Sequence, residues 1–148
     1  MPTHAEQKHL PYTVEQMFDL VADIEKYHEF LPWCVACRKT KDKGGVIEAD
    51  LIIGYKMIRE KFKSRIILDR PEEIRVEYLD GPMKSLSNQW AFIRNSDNTC
   101  TIDFYVDIDL TNSMLQGVMN MFFEKAVTKM VGAFEDRAKE LYGAKNNN

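Results

Sequence analysis

From Trp33 to Leu110 apolar residues return at every second position, and from Ser113 to Tyr142 they return with the helical period, so the chain reads as strands followed by one long helix. The alternation is cleanest at its end, where Cys100, Ile102, Phe104, Val106, Ile108 and Leu110 interleave with Thr101, Asp103, Tyr105, Asp107 and Asp109. Earlier, Phe62, Ser64, Ile66 and Leu68 share one parity while Arg59, Lys61, Lys63 and Arg65 take the other. Successive strand side chains point to opposite faces, so this predicts an antiparallel sheet with one dry and one wet face. Turn signals at Lys43-Gly44-Gly45, Ile53-Gly54, Arg70-Pro71, Asp80-Gly81-Pro82 and Asn95 to Asn98 divide the stretch into about six strands. Thr3 to Tyr12 is extended in character and adds one more. Thr13 with Gln16 then forms a capping box that starts a helix with Val14, Met17, Phe18 and Val21 as its apolar stripe. A short helical turn over Ile24 to Phe30 must stop before Pro32, because the residue preceding a proline is driven out of the helical region.

A half-apolar sheet needs a cover. Leu115, Val118, Met119, Phe122, Ala126, Met130, Ala133, Phe134, Arg137 and Leu141 supply a helical stripe, and Gly143 suits the left-handed position that ends a helix. About 28 residues at 1.5 Å each give roughly 42 Å, enough to cross a sheet. The expected architecture is α+β in a helix-grip arrangement: a curved antiparallel sheet of about seven strands around a long C-terminal helix, with two short helices after the first strand. At 148 residues this is one domain, 1–148, whose last residues, 144–148, are expected to fray.

Composition removes several function classes. With 45% hydrophobic and 29% charged residues the chain is too apolar to be disordered, and a net charge of −3 argues against coating DNA through overall charge. No stretch approaches the roughly 18 uninterrupted apolar residues of a membrane span. Three cysteines cannot all pair, and MPTHAEQKHLPYTVEQ lacks the basic-then-apolar pattern of an export signal. The expectation is a reduced cytoplasmic protein that meets lipid, if at all, peripherally at the inner face of the cytoplasmic membrane.

A sheet gripping one helix either fills the space between them with large side chains or leaves a pocket. The inward candidates are Trp33, Phe62, Tyr78, Trp90, Phe92, Phe104, Met119, Phe122, Phe123 and Met130, in a chain with eight methionines, whose flexible thioethers suit an irregular apolar guest. The same spacings also describe an ordinary core. Ser64 and Asn88 share the apolar parity, and a buried hydroxyl or amide must find either a neighbour or a ligand oxygen. Cys34-Val35-Ala36-Cys37 has the spacing of a redox pair, but residues three apart on a strand face opposite ways, so the cysteines are read as structural. His4, His9 and His28 lack metal-ligand spacing, and no metal is expected. Asp103, Asp107 and Asp109 are read as a solvated face balanced by the basic stripe of Arg59, Lys61, Lys63 and Arg65, a stripe that also suits lipid headgroups or ribosomal RNA. No nucleophile elbow, phosphate loop or zinc-protease signature is found, and no catalytic residue is assigned.

Four segments nevertheless carry a resemblance. Phe30-Leu31-Pro32-Trp33-Cys34, Phe62-Lys63-Ser64-Arg65, Asp80-Gly81-Pro82-Met83-Lys84-Ser85-Leu86-Ser87-Asn88-Gln89-Trp90-Ala91-Phe92 and Ala133-Phe134-Glu135-Asp136-Arg137-Ala138 resemble, in order and over nearly the whole chain, the coenzyme Q-binding proteins. These belong to the START-like polyketide cyclase/dehydrase superfamily, close to the bacterial ribosome-association toxins. The family's usual tyrosine-proline after the second helix stands here as Tyr27-His28. The resemblance implies a hydrophobic tunnel that holds ubiquinone or another polyprenyl lipid as a ligand, with no other cofactor, and supports respiratory electron transfer. Phe30, Leu31, Ser64, Ile66, Leu86 and Asn88 complete the expected lining. The alternatives are a partner of the large ribosomal subunit and, further off, a polyketide cyclase using one Tyr or Glu.

Overall fold

The computed structural model describes residues 3–55 and 58–143. Its elements are β1 (Thr3–Leu10), α1 (Val14–Ala22), a 3-10 helix (Ile24–Glu29), β2 (Cys34–Lys43), β3 (Val46–Tyr55), β4 (Ile58–Asp69), β5 (Glu73–Asp80), β6 (Met83–Arg94), β7 (Cys100–Leu110) and α2 (Ser113–Tyr142). The strands form one antiparallel sheet in the order β1-β7-β6-β5-β4-β3-β2. Strands 2 to 7 are a meander of hairpins, while the first strand is carried across the sheet by α1 and the 3-10 helix to lie on the far edge.

Local chemistry explains the boundaries. The backbone amide of Gln16 donates to Thr13 Oγ1 at 3.1 Å and that of Thr13 to Gln16 Oε1 at 3.0 Å, closing the capping box that starts α1. Val14, Met17, Phe18, Leu20 and Val21 are all buried from it. Gly143 (φ +77°) donates its amide to Lys139 O at 2.9 Å and ends α2. Gly54, expected at a turn, instead lies within β3, where an added Cβ would come within 2.4 Å of Arg59 Nη1 and 2.8 Å of Val35 Cγ2. Positions 56 and 57, between β3 and β4, lie outside the described residues, as does the expected frayed tail.

Two expectations about facing are corrected. α2 turns Phe123, Val127, Val131, Phe134 and Ala138 inward, with Met119 partly buried against the core, while Val118, Phe122 and Leu141 are exposed. One residue is 100° of helix, and in a segment where Met121, Phe122 and Phe123 adjoin, spacing alone does not set the phase. The second concerns Cys34 and Cys37. A bulge between Cys34 and Ala36 inserts one residue into β2, so both thiols pack against the core instead of facing opposite ways.

Candidate ligand site

The dry face of the sheet is divided. Toward the C-terminal half of α2 it is solid: Trp90 meets Phe104 and Phe134 edge-on at 4.7 and 4.9 Å between ring centroids, and Phe18 meets Phe92 at 5.6 Å. Leu31 and Ile66 are buried in the same cluster. The remaining void among Met17, Trp90, Phe104 and Phe134 is about 10 Å³, at the lower limit for a single water. Trp90, Phe92 and Phe104, expected as lining, therefore serve as packing at this end.

Toward the N-terminal half of α2 the same face carries polar groups. Ser64 lies opposite Tyr78 across β4 and β5, and Asn88 follows on β6 opposite Val76. Ser64 is 5% exposed, and its hydroxyl makes no side-chain hydrogen bond among the described residues. Tyr78 Oη accepts from the Met83 amide at 2.9 Å, which leaves the phenol proton free to donate. Asn88 Nδ2 donates to Tyr105 O at 2.9 Å, which fixes the amide and leaves its oxygen as an acceptor. Phe62, 6.4 Å from the Tyr78 ring, and half-buried Leu86 flank these groups, and Met119 and Phe123 are the inward residues of this half of α2. Gly81 (φ +146°) closes the end, because a Cβ there would lie 2.5 Å from Phe62 Cβ and 3.0 Å from Tyr78 Oη. Between them these groups offer two hydroxyls that can donate and one carbonyl that can accept.

The remaining expected residues lie at the rim. Phe30 packs edge-on against Tyr27 and Phe134, with the Arg137 guanidinium 5.2 Å from its centroid. Trp33, at φ +65°, is half-buried under the Lys129 ammonium, 5.7 Å from its ring. Met130 is half-buried, and Phe122 points away from the sheet altogether. Beside them an open groove of about 430 Å³ runs between residues 28–32 and Lys129, Gly132, Ala133 and Asp136.

What sequence reasoning missed is the inner face of β1. His4, Glu6 and Lys8 point toward α2, and His4 bridges Glu6 Oε1 (2.7 Å) and Glu124 Oε1 (3.2 Å) while Lys8 reaches Glu135 at 2.5 Å. The even parity of these charges with Leu10 was the available signal. At the other side of α2, Arg137 pairs with Glu29 at 2.5 Å and, by that hydrogen bond first, holds the Glu29 carboxyl below its ordinary range. Tyr142 Oη donates to Gln16 O at 3.0 Å.

The other candidate groups resolve simply. Desolvation by burial pushes the Cys37 thiol up to about 12 and raises that of Cys34. On the wet face, Lys61 and Lys63 share Asp50 at 3.7 and 3.1 Å, and Arg65 lies between Glu48 and Glu77 at 3.7 and 3.3 Å. The basic stripe of β4 is thus balanced by its immediate neighbours β3 and β5, not by the aspartates of β7, which lie two strands further on. No helix is long and apolar enough to cross a membrane among the described residues.

The sequence from residue 10 to 135 matches the family described as polyketide cyclase / dehydrase and lipid transport. The chain belongs to that family. It is 33% identical over 145 residues to the ribosome association toxin RatA of Escherichia coli K12, covering 98% of this chain and 92% of that protein. It is also 33% identical over 144 residues to the mitochondrial coenzyme Q-binding protein COQ10 homolog B of Xenopus laevis, covering 95% of this chain but 59% of that longer protein. Among solved structures, an 18 kDa protein from Caulobacter crescentus superimposes with a TM-score of 0.77 at 33% identity, covering 97% of this chain and all of that one. The seven-stranded sheet and long C-terminal helix are thus the START-like, helix-grip architecture of a lipid-binding family, as the four sequence segments implied.

Proposed function

We propose that the protein binds ubiquinone or a related polyprenyl lipid, as a carrier and not as an enzyme, with the ring oxygens at Ser64, Tyr78 and Asn88 and the tail between sheet and α2. The observation that carries this reading is Ser64: a buried residue whose hydroxyl has no side-chain partner among the described residues, beside a phenol with a proton to spare, on the dry face of the sheet. A relative named for coenzyme Q binding supports it. Each CH₂ taken out of water gains about 0.8 kcal/mol, but a quinone already in a bilayer is out of water, so protein and membrane compete nearly evenly. The ligand then exchanges, which suits a cytoplasmic carrier that visits the inner membrane surface and supports respiratory electron transfer. The test is organic extraction and mass spectrometry of protein purified without detergent from a quinone-producing bacterium. Ubiquinone near one per chain is expected, and folded, empty protein would overturn the reading.

One observation favours a second reading, association with the large ribosomal subunit: the relative named for it matches with equal identity over more of this chain. Against it, three of the four cations on the β4 stripe already face carboxylates. Co-pelleting with ribosomal subunits that weakens steeply with salt would establish this reading instead.

A further inference from the structure

The first eleven residues of α2, at the end nearer Ser64, Tyr78 and Asn88, carry no charged side chain: from Thr111 to Phe123 the sequence is TNSMLQGVMNMFF. Its outward face is nonetheless apolar. Met114 is 78% exposed, Val118 51%, Met121 76% and Phe122 56%, at spacings of four, three and one that place them within about 100° of arc. A face of this kind on a water-surrounded helix marks an interaction surface. The same arc continues, one and two turns on, into Lys125 and Lys129, both exposed. Neither has a carboxylate partner among the described residues; Lys129 lies over Trp33 and Lys125 makes no ion pair. The nearest carboxylate in sequence, Glu124, is held by His4.

We propose that this face of α2, Met114, Val118, Met121 and Phe122 with Lys125 and Lys129 behind them, is the surface that docks on a lipid bilayer carrying anionic headgroups. The charge order along the helix selects that occupant. Apolar side chains lead and two long cationic ones follow on one line, so the first two turns enter the acyl boundary while the ammonium groups stay at headgroup depth. A protein partner would have to satisfy the interspersed Ser113, Gly117 and Asn120 with matching polar groups, whereas the interface supplies water there. The surface also lies where exchange needs it. Met83 at the start of β6 pairs with Leu110 just ahead of α2, so the docked end is the end that holds Tyr78 and Gly81. This last step rests on the carrier reading.

The experiment is flotation of the full chain with vesicles of phosphatidylcholine alone and of phosphatidylcholine with phosphatidylglycerol, using the wild type, a Met121→Ser/Phe122→Ser double variant and a Lys125→Glu/Lys129→Glu double variant. All substituted side chains are exposed, and circular dichroism confirms the fold. Wild type should float with the anionic vesicles, more weakly at high salt. The serine variant should lose about tenfold in affinity for both vesicle types, and the glutamate variant about tenfold on the anionic vesicles only. Wild type that stays at the bottom, or a serine variant that floats like wild type, overturns the proposal. So does a wild-type dimer that the serine substitutions dissociate in sedimentation, or a ribosome interaction that they abolish without changing flotation. Extracting quinone from the same preparations separates the two readings: retained quinone with unchanged flotation sinks the docking surface alone, and normal flotation without quinone sinks the carrier alone.

Discussion

The two halves of α2 are one continuous helix with opposite attachments. The C-terminal half is held by the ring cluster of Phe134 with Tyr27, Phe30 and Trp90, by the ion pairs Lys8–Glu135 and Arg137–Glu29, and by the Tyr142 hydroxyl on α1. The N-terminal half buries no side chain fully before Phe123 among the described residues. A helix fixed at one end and lightly seated at the other is attached as a clamp is, and opening costs least at its N-terminal end. The difference teaches that a small domain can keep a cooperative core and a penetrable site on the same two elements, provided they occupy different turns of the helix.

The largest effect tests the fixed end. Phe134→Ala should cost about 3–5 kcal/mol, since it empties the junction of three aromatic rings, whereas Met121→Ser should stay within about 0.5 kcal/mol. Denaturant midpoints at equal m-value decide between them, and equal losses would end the distinction. Next comes the floor of the open end. Gly81→Ala should cost about 1–3 kcal/mol, because the residue sits at φ +146° and the new methyl would strike Phe62 and Tyr78. Its quinone content should fall even under conditions where the protein remains folded. Smaller still, Ser64→Ala should leave stability nearly unchanged, as its hydroxyl has no side-chain partner to orphan, while Ser64→Ala and Tyr78→Phe should each weaken quinone retention by about two- to tenfold, the worth of a hydrogen bond of roughly 0.5–1.5 kcal/mol. Competition against quinone-loaded vesicles reads this out, and variants that retain quinone as wild type does would remove the oxygens from Ser64 and Tyr78.

The same contrast explains what the sequence discloses. Strand periodicity, the Thr13/Gln16 box and the Gly143 stop are local signals, each decided within a few residues, and the sheet, α1 and the ends of α2 follow from them. The phase of α2 is not local in that sense. Around Met121 to Phe123 the helix is apolar on both sides, one toward the sheet and one toward its surroundings, so spacing alone turns both Phe122 and Phe123 inward while only Phe123 packs. A functional second face is what defeats the simple stripe. The clasp of His4 and Lys8 onto α2 escaped for another reason: charged residues on the dry parity of an edge strand make sense only once β7 delivers α2 beside them. The bulge in β2 is equally invisible, since one inserted residue leaves no mark on composition while reversing the facing of everything beyond it.

That bulge provides the gentlest probe of the fixed end. Cys34 and Cys37 lie beside Tyr27, which packs on Phe134, so their access to solvent reports opening of the held half of α2. An ordinary thiol ionises near pH 9, whereas burial first, and then the neighbouring Cys34, Glu25 and Asp50, push Cys37 up to about 12. At pH 8 the native protein should therefore present roughly a thousandfold less Cys37 thiolate than the unfolded chain, and iodoacetamide should modify it only through opening. A thiol kept neutral in the fold contributes fully below its unfolded value and loses that contribution as pH rises from about 9 through about 12, so Cys37→Ala should flatten the alkaline fall in stability. Peptide-resolved alkylation at pH 8, in the native state and in denaturant, checks the geometry directly. Slow labelling of Cys37 with unimpeded vesicle exchange of quinone would show the clamp opening at one end only; labelling as fast as exchange would mean that α2 lifts as a whole, and the two halves would no longer be distinct.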